Sequence, residues 1–89
     1  MDGQSCPVDV ISVCSRQGQI RPLRLRMEDE YQQMVRVDIE EVVSVRTTDY
    51  VGVEAQVFLC RARLWGRERL LELKYDLRRH IWKIQRLID

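Results

Sequence analysis

Residues 53–77 read VEAQVFLCRARLWGRERLLELKYDL and contain the clearest alternating pattern in the chain. Residues 53–65 are apolar on both faces in their first half, which is typical of a central or covered strand. After Gly66 the apolar residues again occupy every second position, and charged residues stand between them. These later apolar residues are Leu71, Leu73, Tyr75 and Leu77. The pattern predicts two strands joined by a short hairpin turn.

A loop at Gly66 and Arg67 would set the register of this hairpin. It predicts four pairs on one face: Leu64 with Arg69, Ala62 with Leu71, Cys60 with Leu73, and Phe58 with Tyr75. That face becomes almost continuously apolar. On the opposite face the same register predicts an ion pair between Arg61 and Glu72.

The predicted register turns a second set of apolar side chains away from this core. The set consists of Val53, Ala55, Val57 and Leu59. A strongly bent sheet would fold these side chains back inside. Otherwise they form a candidate interface with a protein partner or a second subunit, because contiguous exposed apolar surface usually marks an interaction site.

The N-terminal part of the chain predicts two further strands. Residues 7–14 are rich in β-branched side chains and are followed by a polar turn at residues 15–19. In residues 20–28, one face is predicted to carry Leu23, Leu25 and Met27, and the other Arg24, Arg26 and Glu28. Pro22 cannot donate a ladder hydrogen bond, so it belongs at the strand start or on a sheet edge.

Residues 34–48 repeat the alternation with one conflict. The predicted inward side chains are Val35, Val37, Ile39, Val43 and Val45. Glu41 falls in phase with this apolar set, so a regular strand would bury its carboxylate. A bend near Glu40 and Glu41 would relieve the conflict and could divide the segment into two strands.

Residues 67–89 leave two interpretations open. Leucine and isoleucine also recur there at helical spacing, at Leu70, Leu73, Leu77, Ile81, Ile84 and Ile88. We predict a hairpin instead, because Trp82 and Ile84 alternate with Lys83 and Gln85. The alternative is an α+β fold with a C-terminal amphipathic helix.

These patterns predict an all-β fold of five or six antiparallel strands, forming a small barrel or a strongly bent sheet. The chain has 89 residues, a length that suits one domain over residues 1–89. Residues 1–6 are predicted to be a flexible N-terminus. Neither a secretory signal nor a long apolar span is evident, so we expect a cytoplasmic protein that does not bind membranes.

The residues that carry enzyme chemistry are sparse. His80 is the single histidine, and the three cysteines Cys6, Cys14 and Cys60 lack metal-ligand spacing. The four glycines stand singly, unlike those of a phosphate-binding loop. We therefore predict no catalytic residue, no metal, no cofactor and no enzymatic activity.

Arginine is the one strong compositional bias. Of fifteen basic residues only Lys74 and Lys83 are lysines, although the net charge is +1. Arg24 and Arg26 alternate on one strand, and Arg61 and Arg63 on another, so a basic stripe results if these two strands are neighbours. Such a stripe would need exposed aromatic residues to bind single-stranded nucleic acid.

A resemblance supports the β prediction. The segments IRPLRLRMEDE, MVRVDIEEVVSV and LLELKYDLRRHIWKIQRL resemble small uncharacterised bacterial β-domain proteins. In that family a P-x-R-F segment precedes an apolar strand, and a late L-x-Y-D leads to a tryptophan. The matching positions here are Pro22, Arg24, Leu73, Tyr75, Asp76 and Trp82. Leu25 stands where an aromatic is usual. The family has no assigned activity, so the resemblance implies a fold and a bacterial cytoplasmic setting only.

The resulting functional prediction is a non-enzymatic protein–protein interaction module, with a homodimer as one form of it. The alternative is a small nucleic-acid-binding barrel that uses the arginine stripe.

Overall fold

The fold is a closed barrel of antiparallel strands. The structure, a computed structural model, describes residues 6–88. Its strands are β1 (Cys6–Cys14), β2 (Ile20–Glu28), β3 (Met34–Tyr50), β4 (Val53–Leu64), β5 (Arg67–Asp76) and β6 (Ile81–Leu87). Each strand pairs with its neighbours in sequence, and β1 pairs with β6 to close the barrel. The predicted all-β class is confirmed, and of the predicted alternatives the structure has six strands and a small barrel.

The alternative prediction of a C-terminal amphipathic helix is wrong, because β5 and β6 form an antiparallel hairpin. The predicted flexible N-terminus falls mostly on residues 1–5, which lie outside the described residues; Cys6 already belongs to β1.

The barrel interior is filled mainly by alternate side chains of β4, β5 and β6, together with Leu25 of β2 and Val37 of β3. Phe58 is fully buried, and its ring centroid lies 5.4 Å from that of Trp82. The rings of Tyr75 and Trp82 are 4.6 Å apart, so three aromatic side chains pack together. The rest of the central cluster is Leu25, Val37, Cys60, Ala62, Leu64, Leu71, Leu73 and Ile84. This core explains why one face of β4 and β5 is continuously apolar.

The β4–β5 turn differs from the predicted one. Trp65 and Gly66 are its two central residues, and both have positive φ, 53° and 73°. This is the geometry of the type I′ hairpin turn. Leu64 therefore faces Arg67, and Phe58 faces Leu73. The predicted register was wrong by two residues, which kept the same side chains on each face.

The β3–β4 turn has the same geometry and predicts a stabilising substitution. Val51 has φ 54° and is 81% exposed. The left-handed region costs an ordinary L-residue about 1–2 kcal/mol, whereas asparagine tolerates it. We expect Val51→Asn to raise the free energy of unfolding by about 1 kcal/mol, or Tm by about 4–8 °C. Thermal unfolding measures this.

Val53→Asn is the matched control for that substitution, because Val53 is 44% exposed but lies in β4. It should lower Tm slightly, since asparagine is disfavoured in strands. An unchanged Tm for Val51→Asn would show that the turn carries no strain.

Bulges correct two details of the N-terminal half. In β3 the register skips Glu40 and Val43, so each is an extra residue in the ladder. Glu41 consequently points outward opposite Arg61, and β3 remains one strand. Val43, predicted to point inward, is 44% exposed, and Val42 packs against the core in its place. Val45 pairs with Phe58 and so lies on the inner face as predicted, but it is 49% exposed.

A similar irregularity lies in β2. The pairing with β1 skips Leu23, which is 40% exposed, whereas Pro22 is fully buried. The prediction that Leu23 shares a face with Leu25 was therefore wrong. Pro22 lies in the part of β2 that pairs with β1 but not with β3, so its missing N–H costs no ladder hydrogen bond on the β3 side.

Candidate functional site

The predicted basic stripe is interrupted by a strand of opposite charge. β3 lies between β2 and β4, so the two arginine-bearing strands are not neighbours. Asp38 of β3 sits opposite Arg24 on one side and Arg63 on the other. The condition for a continuous stripe is therefore not met.

Each arginine of the stripe is paired with a carboxylate. Arg24 lies 3.6 Å from Asp38, Arg26 lies 2.9 Å from Asp9, and Arg63 lies 3.0 Å from Glu40. Arg61 donates to Glu41 and approaches Glu68 at 3.9 Å. This surface is an alternating set of positive and negative charges.

The predicted apolar interface on β4 is also not an exposed face. Ala55 and Val57 are 0% and 3% exposed, and Leu59 is half-buried. Only Val53, near the β3–β4 turn, remains exposed. The prediction was wrong because flanking residues cover the outer face of β4. Val57 lies between Arg46 and Lys74 in the ladder, and long aliphatic stems of this kind shield apolar neighbours.

A buried carboxylate, Glu72, lies on this same outer face, and its burial was not predicted. The predicted ion pair between Arg61 and Glu72 was wrong, because Arg61 lies opposite Leu70. Glu72 is 4% exposed. One oxygen, Oε1, accepts from Arg86 Nε at 2.9 Å and Gln85 Nε2 at 3.0 Å, and Oε2 accepts from an Arg46 guanidinium nitrogen at 3.4 Å. We call these four residues the Glu72 clasp. It joins β3, β5 and β6 through side chains.

A bulge in β6 makes the Glu72 clasp possible. Glu72 pairs with Arg86 and Leu73 pairs with Ile84, so Gln85 is an extra residue. A bulge sets two residues of one strand against one of the other, which brings Gln85 and Arg86 together beside Glu72. The hydrogen bond from Arg86 is the main cause that lowers the pKa of Glu72, against the opposing effect of burial.

Strand β3 has a long edge without a strand partner. Its pairing with β2 ends at Asp38 opposite Arg24, whereas its pairing with β4 continues to Tyr50 opposite Val53. We call residues 43–50 the β3 arm. Among residues 6–88, no strand pairs with the β2-facing edge of this arm. Half of the backbone N–H and C=O groups of the arm therefore face a side where no strand forms hydrogen bonds with them.

A groove crosses the outer face of β1, β2 and β3. Its volume is about 440 Å³. Three guanidinium groups line it, together with the carboxylate of Asp9 and the apolar side chains of Ile11 and Met34. The three arginines are Arg24, Arg26 and Arg36. We call this the arginine groove; two of its arginines belong to the predicted stripe, and Arg36 was not predicted.

His80 and Cys60, the residue types that enzymes use as bases and nucleophiles, both have packing partners. The Tyr75 hydroxyl and His80 Nδ1 are 2.7 Å apart, which ties the β5–β6 turn to the core. Burial raises the pKa of the Cys60 thiol to about 12, so this thiol is not a nucleophile at neutral pH. Within residues 6–88 no group of three His, Cys, Asp or Glu side chains is arranged to hold a metal ion.

The chain matches no family model, no curated protein and no solved structure. The resemblance to small bacterial β-domain proteins therefore stays a prediction. The described residues 6–88 include no helix with the length and apolar character needed to cross a membrane.

Proposed function

We propose that this chain is a non-enzymatic protein-interaction module that pairs with a second copy of itself through the β3 arm. The observation that supports this is the unpartnered edge of β3 beyond Asp38. An exposed strand edge offers a row of backbone donors and acceptors that another extended strand can take up.

The β3 arm has little that protects a strand edge beyond the bulge at Val43. It reads VSVRTTDY and contains neither proline nor lysine. Its β-branched residues favour the extended conformation. Val43 and Val45 are exposed beside the edge, so a partner strand would cover apolar surface as well as form hydrogen bonds. Arg46, one of its two charged residues, is already engaged by Glu72.

A second copy fits this edge because the arm is compatible with itself. In an antiparallel pair centred on Val45, each Val45 lies opposite its own copy and Arg46 lies opposite Ser44. No like charges meet at these central positions, and β-branched pairs are favourable. A twofold axis through this pair gives a closed dimer rather than a filament.

The nucleic-acid alternative has less support. Carboxylates of β1, β3 and β5 separate the arginines, and phosphate would be repelled by them. Trp65 is exposed but stands at the β4–β5 turn.

For location we propose the cytoplasm, which suits three free thiols, two of them exposed.

Light scattering over a range of concentrations tests the proposed dimer. We expect wild-type protein to be a dimer and Val45→Lys to be a folded monomer, because two lysines would then face each other across the pair. Val45 is 49% exposed, so lysine has room at this position in the free barrel. Circular dichroism checks that the variant is folded.

Val13→Lys is the matched control, because Val13 is 42% exposed on β1, a strand that does not pair with β3. It should remain a dimer. A wild-type monomer at every concentration would refute the proposal, and so would a Val45→Lys protein that stays dimeric.

A further inference from the structure

We infer that the arginine groove is a binding site for an acidic peptide segment in which apolar side chains stand between the carboxylates. This site is separate from the β3 arm and does not depend on the proposed dimer. The inference rests on the geometry, the charge and the apolar surface of the outer face of β1, β2 and β3.

The groove is built from two rungs of the sheet. In one rung Arg26 lies between Asp9 of β1 and Arg36 of β3. In the next rung Arg24 lies between Ile11 and Asp38. Both rungs point outward, because the core residues Leu25 and Val37 alternate with them.

The groove continues into a second cavity along β1 and β2. This adjoining cavity of about 280 Å³ shares Asp9, Arg26 and Met34 with the groove. The adjoining cavity also contains Glu28, so the positive charge lies in the rungs of Arg24 and Arg26 and not at the Glu28 end. A bound segment would therefore place its carboxylates near Arg24 and Arg36.

Charge around the groove leaves room for an added carboxylate. Three guanidinium groups are paired with two carboxylates, because Asp38 serves both Arg36 at 3.0 Å and Arg24 at 3.6 Å. The longer distance exceeds that of a good hydrogen bond, so Arg24 has donors to offer. The arginine side chains are 44%, 61% and 64% exposed, in the order Arg24, Arg26 and Arg36. Arginine forks match carboxylates in bidentate geometry.

The apolar surface selects a peptide over nucleic acid. Ile11 and Met34 are 57% and 53% exposed, and a ligand with aliphatic or aromatic side chains would cover them. No aromatic residue lines the groove, so bases would have no stacking platform. Methionine adapts readily to side chains of different shapes.

A labelled synthetic peptide of alternating aspartate and leucine is the probe, and fluorescence anisotropy at low salt is the measurement. We expect saturable binding that weakens about tenfold or more in the double variant Arg24→Gln/Arg36→Gln, because two charge-assisted contacts are lost. Arg67→Gln is the matched control, since Arg67 is exposed on β5, outside the groove. It should bind like wild type.

Two further probes decide between ligand classes: a peptide of alternating lysine and leucine, and a thymidine oligonucleotide. Neither should compete with the acidic peptide. No binding of the acidic peptide, equal binding by the double variant, or tighter binding of the oligonucleotide would each overturn the inference. The same titration with Val45→Lys protein separates this site from the dimer, because it measures peptide binding at the groove of a monomer.

Discussion

Phe58→Ala is expected to lower the free energy of unfolding by about 3–5 kcal/mol. Phe58 has no exposed surface and packs against Trp82 across the barrel. Alanine would leave a cavity among β4, β5 and β6, and antiparallel ladders on both sides of β4 would keep the strands from collapsing into it. Urea unfolding followed by tryptophan fluorescence measures the loss.

A second variant keeps this prediction measurable, because a domain of this size has a total stability of roughly 4–13 kcal/mol. Phe58→Leu retains most of the volume and should cost about 1.5 kcal/mol. Tyr50→Ala is the exposed control, since Tyr50 is 79% exposed, and it should change stability by about 0.5 kcal/mol or less. If Phe58→Ala proved as mild as Tyr50→Ala, the barrel core would be packed differently.

Glu72→Gln is expected to lower the free energy of unfolding by about 2 kcal/mol at neutral pH. The amide keeps the shape but loses the charge that Arg86 and Arg46 bind. It also turns an N–H₂ group towards donors, so at least one hydrogen bond is replaced by repulsion. The cost stays moderate because both guanidinium groups are more than half exposed and can return to water.

The effect of Glu72→Gln depends on pH in a direction that follows from the pKa of Glu72. In the folded barrel that pKa lies below its ordinary value of 4.5. The ionised carboxylate therefore stabilises the fold fully above pH 4.5, and this contribution is lost as pH falls through the lowered pKa. The difference in free energy of unfolding between wild type and Glu72→Gln should therefore shrink in acid.

Chemical unfolding of both proteins between neutral and acid pH measures that difference. Subtracting the two curves removes the contribution of Asp76, whose pKa is also lowered, mainly by the backbone N–H of Arg79. Glu68→Gln is the control, because Glu68 is 58% exposed and 3.9 Å from Arg61. It should show little change at any pH. A Glu72→Gln difference that persists undiminished in acid would contradict the role of the Glu72 clasp.

The β3 arm and the Glu72 clasp are linked through Arg46. Arg46 belongs to the arm and donates to Glu72 on β5. The Arg46 side chain passes over the outer face of β4, where its ladder partner Val57 is buried, and so ties the arm to β5. Glu72→Gln therefore loosens one attachment of the arm, whereas Val45→Lys leaves that attachment in place. Glu72→Gln therefore tests the stability of the barrel, whereas Val45→Lys tests pairing at its edge.

The candidate surfaces were only partly predictable. The stripe residues Arg24, Arg26, Arg61 and Arg63 do lie on outer faces, but β3 and its carboxylates stand between the two strands. The arginine groove depends on Arg36 and Asp9, which reach Arg26 only through pairing of β1, β2 and β3. No local sequence pattern predicts which residues become such neighbours, because they are distant in sequence.

Sequence alone determined the all-β class and which side chains of β4, β5 and β6 face the core, because a strand's side chains alternate with a period of two residues. An error of two residues in the β4–β5 register left those faces unchanged for the same reason. Tertiary structure decided the bulges at Leu23, Glu40, Val43 and Gln85. Each bulge shifts the phase of its strand by one residue, which exposed Val43, turned Glu41 outward and set Arg86 against Glu72. Bulge positions follow from closing the barrel and filling its interior, and those requirements involve all six strands at once.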